Sequence, residues 1–297
     1  MTSGSPRASG AGPPRVLLRP GTPVLTRSAG VLQVGIDPPT VRLPDSPTTR
    51  RLLAALDRPA GLPADGTDDG ADGADRAAIE AALDRLRAAG LLLVVPAVGG
   101  DADVVLQAQF GPDAVRRRTA RTQAVVVVDA PPATERLLDP LLHHAGLRRA
   151  ATGGVHLVVA TGALDRARLD PLVRDAVPHL VLTGGAAGRR LGPFVEPGRT
   201  ACARCVDAHE SLADVRRPFL LAQAAQAART RPPPLDPVLE QLALAWAVRD
   251  LARYLEGDEP STWSTTYDLG PVTAPRGVTW GRHPDCGCAW DAPSLLA

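Results

Sequence analysis

Four cysteines are the residues of this chain whose types and spacing point most directly to chemistry. Cys202 and Cys205 form a Cys-x-x-Cys pair in PGRTACARC, and Cys286 and Cys288 form a Cys-x-Cys pair in HPDCGC. Two close pairs of thiols supply four soft ligands for a tetrahedral ion, and zinc is the natural candidate for such a set. We therefore predict a zinc site made of these four cysteines, with a redox pair or unliganded thiols as the alternatives.

The predicted zinc site is structural rather than catalytic. Four thiolates leave no coordination position for water or substrate, and their charge lowers the Lewis acidity of the ion. His209 and His283 are close enough in sequence to replace a cysteine, but solvated loop or helix-end positions explain them better. Gly287 permits the unusual backbone that a Cys-x-Cys turn needs. The ion would tie the segment near residue 200 to the C-terminal segment and so close a long loop.

The composition restricts the class of protein. The chain has 297 residues, of which 44% are hydrophobic, which is enough for one large core or two modest ones. The net charge is +1, and all 33 basic side chains are arginines. Near-neutral charge argues against a protein whose main partner is nucleic acid. No stretch has the apolar core of a signal peptide or the ~18 apolar residues of a membrane helix, which predicts a soluble cytoplasmic protein.

The N-terminal third predicts a small module of one sheet and two helices. Residues 1–15 are rich in Gly, Ser and Pro, and we expect a disordered tail there. The stretches PVLTR, VLQVGI and TVRLP predict a three-stranded antiparallel sheet. Helices should follow over SPTTRRLLAAL, with Ser46 as N-cap, and over RAAIEAALDRLRAAG, and LLLVV should return as a strand. This order predicts a winged-helix-like module over residues 16–98.

A winged helix can bind DNA or an extended peptide, and the sequence leaves both uses open. Arginines could contact phosphate, but the acidic stretch PADGTDDGADGAD between the two helices would repel it. A peptide could instead add as a strand along the sheet edge beside residues 40–43, resting against the second helix. Arg42, Arg85 and Arg87 are then the candidate peptide contacts, the alternative being that they are exposed charges without a partner.

Residues 99–297 alternate strand and helix patterns in the manner of a Rossmann-like parallel sheet. The strands are predicted over ADVVLQA, TQAVVVVDA, GVHLVVAT and PHLVLTG, and the intervening helices over DAVRRRTA, ATERLLDPLLHHAG and RARLDPLVRDAV. A longer helix capped by Asp236 is predicted over DPVLEQLALAWAVRDLARYLEG. The apolar stripe of that helix includes Val238, Leu242, Trp246 and Leu255.

The position of a nucleotide-binding loop holds the residues DAPPA. Pro131 and Pro132 follow the strand VVVVD almost directly and have no N–H group to offer a phosphate. Without glycine the backbone also cannot approach a phosphate closely. We therefore expect that ATP is not a cofactor of this protein.

The stretch GPFVEPGRTACARCVDAH is similar to the E1/ThiF-like adenylyltransferase superfamily, whose Rossmann domain ends in a GP-x-x-x-PG-x-T-x-C-x-x-C approach to its zinc. The closing motif HPDCGC and the winged-helix-like front resemble the divergent partner proteins of thiazole/oxazole-modified microcin (TOMM) pathways. The front also resembles the RiPP recognition element, which binds the leader peptide of a precursor. The resemblance covers residues 16 to 297. It implies an α/β chain in which this module precedes a degenerate E1/ThiF-like Rossmann domain with the zinc site.

This resemblance implies a non-catalytic leader-peptide-binding scaffold of a RiPP biosynthetic complex. Such a scaffold presents the precursor peptide to a YcaO-type cyclodehydratase, which uses ATP to form azolines. The zinc ligands carry over to the four cysteines, whereas almost none of the superfamily's ATP-binding residues do. Members of the family tend to dimerise, which makes a homodimer a further expectation. An active adenylyltransferase that activates a peptide or small-protein carboxylate and a winged-helix DNA-binding regulator are the competing readings.

Overall fold

The computed structural model describes residues 14–63, 73–95, 101–111, 113–120, 125–271 and 274–288. The chain divides into two compact units, residues 1–117 and residues 118–297. The α-helices of the described residues are α1 (Pro47–Leu56), α2 (Gly73–Ala88), α3 (Asp101–Phe110), α4 (Ala114–Ala120), α5 (Pro132–His144), α6 (Asp170–Arg174), α7 (Ala203–Ser211), α8 (Arg217–Thr230) and α9 (Pro237–Leu255). The strands are β1 (Arg15–Leu18), β2 (Val24–Ser28), β3 (Val31–Val34), β4 (Val41–Pro44), β5 (Leu62–Pro63), β6 (Leu92–Val95), β7 (Val125–Asp129), β8 (Arg148–Arg149), β9 (Val155–Val159), β10 (His179–Gly185), β11 (Gly188–Val195), β12 (Thr265–Leu269) and β13 (Arg276–Thr279).

The first unit contains two small antiparallel sheets. The first has the strand order β2-β3-β4 and confirms the sheet predicted from PVLTR, VLQVGI and TVRLP. The second has the order β5-β1-β6, so the strand predicted over LLLVV pairs with β1. Strand β1 was not predicted, because its four residues follow directly on the Pro-rich tail. That tail lies outside the described residues up to position 13.

Two helices close the core of the first unit as predicted. Ser46 caps α1, since its Oγ accepts the N–H of Thr49 at 3.1 Å, and Pro47 occupies the first turn. The predicted stripe of α2 is confirmed, and one hydrophobic cluster joins both helices to both sheets. The buried residues of α2 are Ile79, Ala82, Leu83 and Leu86. The acidic stretch between the helices lies mostly outside the described residues, and the winged-helix assignment stays a prediction.

The segment ADVVLQA, predicted as a strand, is wrong as a strand and forms helix α3. This helix belongs to the first unit, where Arg19 donates to the carbonyl oxygen of Ala108 at 2.7 Å and Gln107 donates to that of Val94. A pair of valines favours a strand only weakly, and packing against neighbouring elements overrides such a preference.

The second unit is built on a seven-stranded mixed sheet of order β13-β12-β11-β10-β9-β7-β8. Strands β8, β7, β9 and β10 are parallel, which confirms the predicted rhythm for that half. From β10 onwards the pairs are antiparallel, so the prediction of a parallel sheet is wrong for the other half. The reason is local: only two residues separate β10 from β11, and a connection this short can only reverse the chain.

Helix α9 packs against this sheet with a different face from the one predicted. Asp236 caps the helix as predicted, because its carboxylate accepts the N–H groups of Val238 and Leu239 at 2.8 and 2.9 Å. The residues that enter the main core are Leu239, Ala243, Leu244, Ala247, Val248 and Leu251. The predicted stripe is therefore wrong as the buried face, since Val238 is 78% exposed and Leu242 is 54% exposed. Trp246 and Leu255 lie half-buried at the margin of the core.

The segment RARLDPLVRDAV forms less helix than predicted. A 3₁₀ turn at Arg166–Arg168 leads into α6, which has five residues.

Among the described residues, no helix combines the length and the apolar character that crossing a membrane requires.

Candidate metal centre and peptide-binding edge

The first cysteine pair lies where α7 begins. Cys202 is the N-cap residue of α7 and Cys205 lies in its first turn, and their Sγ atoms are 3.8 Å apart. The N–H of Ala201, just before the pair, donates to Oγ of Ser264 at 3.0 Å. This hydrogen bond ties the backbone before Cys202 to the residue that precedes β12. The Cys-x-x-Cys spacing at a helix start thus brings both thiols to one point.

The second pair is presented by a tight turn near the end of the described chain. A 3₁₀ turn, Pro284–Cys286, is capped by His283, whose Nδ1 accepts the N–H of Asp285 at 3.2 Å. Gly287 follows with φ of +78°, a left-handed conformation that favours glycine. The conformational role expected for Gly287 is therefore confirmed, and it lets Cys288 turn back towards Cys286.

The four predicted cysteines form one compact cluster. All four Sγ atoms lie within 4.8 Å of one another. The distances from Cys202 to Cys286 and from Cys205 to Cys288 are both 3.4 Å. Four sulfurs each about 2.3 Å from a tetrahedral zinc ion would be roughly 3.8 Å apart. The residues present therefore fit a metal ion of this kind, and the set of four could hold one.

The burial of the four cysteines affects whether their thiols are charged. Cys202 and Cys205 are buried, and Cys286 and Cys288 are half-buried. A hydrogen bond to the sulfur of Cys205 raises the pKa of the Cys202 thiol, and burial raises the pKa of Cys286. Four thiolates in so small a volume would repel one another, and a divalent cation removes that repulsion and deprotonates coordinating thiols.

An ion pair that sequence reasoning missed fixes the first turn of α7. Arg204, between the two cysteines of the first pair, donates to the carboxylate of Asp170 through two hydrogen bonds of 2.8 and 2.7 Å. This bond lowers the pKa of Asp170. Asp170 is the first residue of α6, so the pair joins α6 to the metal-binding turn. No local signal could have revealed it, because the partners are 34 residues apart.

The two neighbouring histidines are outside the cluster, as expected. His209 Nε2 lies 3.0 Å from the carbonyl oxygen of Gly281 and must donate to it. His283 uses Nδ1 to cap the 3₁₀ turn. Within the described residues, the only group of metal-binding side chains with converging ligand atoms is the four-cysteine set.

The end of β7 is where an α/β fold of this type would place a nucleotide. Pro131 is the N-cap residue of α5 and Pro132 its first residue, so neither has a backbone donor. The N–H of Thr134 is already bonded to the carbonyl oxygen of Pro131 at 2.9 Å. A cavity of about 440 Å³ lies here, and Asp129 and Arg168 on its wall form an ion pair of 2.6 Å.

The predicted peptide contacts lie in the first unit, beginning with Arg42 on β4. Among the described residues, strand β4 pairs with β3 alone and is an edge of its sheet. The N–H of Asp45 donates to the carbonyl oxygen of Gly30 at 2.9 Å. By the alternation of antiparallel pairs, Val41 and Leu43 then bond to β3, and the backbone N–H and C=O of Arg42 face away from the sheet.

The other two predicted contacts lie on α2, which packs beside β4. Arg85 and Arg87 are both exposed, and Arg87 forms an ion pair of 2.6 Å with Asp84. Two residues apart on a helix are about 160° apart around its axis. Arg85 and Arg87 therefore flank the buried stripe of α2 on opposite sides, and only one of them can border the edge of β4.

Comparison with known proteins finds the fold in heterocyclases and in MccB of Escherichia coli. The heterocyclase TruD matches at 17% identity with a TM-score of 0.70, over 93% of this chain and 43% of that one. A heterocyclase in complex with substrate and cofactor matches at 14% identity with a TM-score of 0.67, over 93% and 39% of the two chains. Escherichia coli MccB with ATP matches at 12% identity with a TM-score of 0.58, over 92% and 99%.

These matches establish the fold of this chain. The chain spans less than half the length of the two heterocyclases and almost the whole of MccB. No protein-family model matches the chain, and no curated protein matches it. One of the matched structures contains ATP. The residues of this chain at the end of β7 do not fit a nucleotide phosphate, because two of the first backbone positions of α5 are prolines.

Proposed function

We propose that this protein is a non-catalytic leader-peptide-binding scaffold of a RiPP biosynthetic complex of the azoline-forming, TOMM type. Residues 16–98, as a winged-helix-like module, bind the leader of a precursor peptide. Residues 99–297, with the four cysteines holding a structural zinc ion, form the body of the scaffold. A separate YcaO-type cyclodehydratase carries out the ATP-dependent chemistry on the core of the peptide.

The free edge of β4 is the observation that carries this proposal. An unpaired strand edge beside a helix is the surface to which an extended peptide adds as a further strand. The outward backbone groups of Arg42 supply hydrogen bonds without demanding a particular sequence. Side-chain contacts with Arg42 and with whichever of Arg85 and Arg87 borders the edge would then select the leader.

The end of β7 supports the non-catalytic part of the proposal. The prolines at the start of α5 remove two of the backbone donors that would hold the phosphates of ATP. The two matched heterocyclases each have more than half of their length outside the region shared with this chain. A division of labour follows naturally, in which the shared region holds the peptide and another chain performs the reaction.

Binding the leader would accelerate the reaction by tethering. A core peptide held near the active site reacts as part of one complex, at an effective concentration in about the millimolar range for a short flexible link. The scaffold needs no reacting group of its own for this gain, because the leader contact alone makes the encounter intramolecular.

The test uses a fluorescently labelled synthetic leader peptide of a TOMM-type precursor. Arg42→Pro removes the outward N–H of the edge, while an edge strand tolerates proline, so binding should weaken about tenfold or more. Arg42→Ala should weaken it less. Arg58→Ala, at an exposed arginine beyond α1, is the matched control and should bind normally. Unchanged affinity in Arg42→Pro would show that the leader does not bind at the edge of β4.

A further inference from the structure

The four-cysteine cluster has a negative charge even when it holds a divalent ion. Four thiolates around one zinc ion leave negative charge in excess, because the ion neutralises only part of theirs. Cys202 and Cys205 are buried, so water and salt screen little of this excess. A buried charge requires an opposite charge or hydrogen-bond donors close to it. We therefore searched the surroundings of the cluster for a positive side chain.

Arg204 lies beside the sulfurs, between the two cysteines of the first pair. Two cavities flank the cluster, one of about 360 Å³ and one of about 300 Å³. Arg204 and Cys286 are the two residues that line both cavities, so their side chains lie together at the boundary between them. The hydrogen bonds to Asp170 raise the pKa of Arg204, and the nearby Cys202 and Cys286 act in the same direction.

Asp170 holds the guanidinium of Arg204 in one orientation. Nε and Nη2 of Arg204 donate to the two carboxylate oxygens at 2.8 and 2.7 Å. A planar fork with a permanent charge is what distinguishes arginine from lysine in such a pair. The two side chains are 49% and 47% exposed, and an ion pair this exposed contributes little to folding by itself. Stability of the fold therefore does not account for the pair.

Two other arginines on the cavity walls are less suited to offset the charge of the cluster. Arg166, on the wall of the larger cavity, donates to both carboxylate oxygens of Asp207 at 2.6 and 2.8 Å. Arg174, on the wall of the smaller one, is 72% exposed and lies 3.4 Å from Asp175. Water and salt screen a charge as exposed as that of Arg174.

We propose that Arg204 is a positioning residue of the metal centre, whose guanidinium offsets the negative charge of the zinc-bound thiolates and so raises the affinity of the protein for zinc. The inference rests on the zinc ion of the proposed function. Asp170 then has two effects, since it orients Arg204 and also neutralises part of its charge.

The experiment measures the zinc affinity of the full chain by competition with a chromophoric chelator. Arg204→Met keeps a long side chain without its charge and should weaken zinc binding roughly 10–100-fold, as the loss of a residue that supports metal ligands does. Arg204→Lys keeps a positive charge and should recover most of that loss. Arg199→Met is the matched control, because Arg199 is ion-paired and 65% exposed close to the same cysteines but lines neither cavity. Its zinc affinity should equal that of the wild type.

A second variant separates the charge of Arg204 from a purely structural connection between α6 and α7. Asp170→Asn removes the charge of the carboxylate and keeps a side chain of the same size that can accept a hydrogen bond. Zinc affinity should stay the same or rise, because the charge of Arg204 is then no longer shared. A structural connection predicts the reverse, which is a loss as large as that in Arg204→Met.

Cobalt(II) titration shows whether the ligands themselves change. The thiolate-to-cobalt charge-transfer absorption per bound ion should be the same in the wild type and in Arg204→Met, because all four sulfurs remain ligands. A lower absorption in the variant would mean that a cysteine has left the ion and would contradict a charge effect.

The outcomes distinguish this inference from the proposed function. Equal zinc affinities in the wild type and Arg204→Met, or an equal loss in Asp170→Asn, would overturn the role of Arg204 and leave the zinc site itself intact. A wild type that binds no zinc would overturn the zinc site together with this role. Leader affinity is measured separately and tests the peptide-binding part of the proposed function.

Discussion

The guanidinium of Arg189 on β11 lies 2.8 Å from the carboxylate of Glu240 in the first turn of α9, and the two side chains are 1% and 3% exposed. Arg189 also donates through Nη1 to the carbonyl oxygens of Ala160 and Gly184, at 2.9 and 2.6 Å. Burial lowers the pKa of Arg189 and raises that of Glu240, so each charge depends on the other. The pair joins α9 to the sheet at the ends of the central strands.

Removing one partner of this ion pair should destabilise the protein far more than replacing both partners with apolar residues. Glu240→Gln leaves the charge of Arg189 buried without its partner and should lower the free energy of unfolding by about 3–5 kcal/mol. The double variant Arg189→Met with Glu240→Leu removes both charges and should recover most of that loss. Urea denaturation of the three proteins measures the difference. A loss below about 1 kcal/mol in Glu240→Gln would mean that water reaches the pair.

The four-cysteine cluster predicts one zinc ion per chain. Cys286→Ser should lose the ion and become less stable, because the ion closes a loop of 84 residues between Cys202 and Cys286. By the loop-closure entropy, a cross-link that closes a loop of this length stabilises by about 4.5 kcal/mol. Metal analysis and thermal unfolding on the same samples measure both effects. Asp285→Ser, at an 88% exposed neighbour, is the control and should keep its zinc.

The start of α5 predicts that the purified protein has no saturable ATP binding and no pyrophosphate exchange. The physical reason is the pair Pro131 and Pro132, which removes two of the backbone donors that a phosphate would use at this helix start. Calorimetry with ATP and magnesium, on protein whose metal content is known, measures binding directly. Saturable binding would instead favour an active adenylyltransferase, with the cavity beside Asp129 and Arg168 as the site to mutate next.

Local signals in the sequence were sufficient where neighbouring residues determine the structure. The cap of α1 by Ser46, the cap of α9 by Asp236 and the buried stripe of α2 all depend on residues within a few positions of one another. The four cysteines were predictable for the same reason, because close pairs of soft ligands point to one metal. The left-handed turn at Gly287 followed from the Cys-x-Cys spacing.

The predictions that are wrong or missing concern features that depend on packing between distant segments of the chain. Helix α3 contains a pair of valines that favour a strand, yet its partners are Arg19 and the carbonyl oxygen of Val94. Helix α9 has two apolar faces, and nothing in its own sequence says which one meets the sheet. The ion pair between Arg204 and Asp170 joins residues that no short pattern connects.

His179 provides a test of the core by pH. Its side chain is fully buried at the start of β10, and Nδ1 lies 2.9 Å from the carbonyl oxygen of Val177, to which it must donate. Burial lowers the pKa of this imidazole from 6.5 to about 4. His156, its partner on β9, also has a pKa lowered by burial. A His179→Gln variant retains His156.

The unfolded chain therefore binds a proton at residue 179 between pH 6.5 and about 4, whereas the folded chain does not. Stability from this group is present above pH 6.5 and falls as the pH is lowered, by about 1 kcal/mol between pH 7 and 5.5. His179→Gln keeps a polar side chain without the titration and should lack this part of the slope. Asp170, Arg174, Arg204 and three of the cysteines line the cavity beside His179 and are common to both proteins. Urea denaturation of both at pH 7, 6 and 5.5 isolates the contribution of residue 179, and equal slopes would show that His179 is protonated as readily in the folded protein as in the unfolded chain.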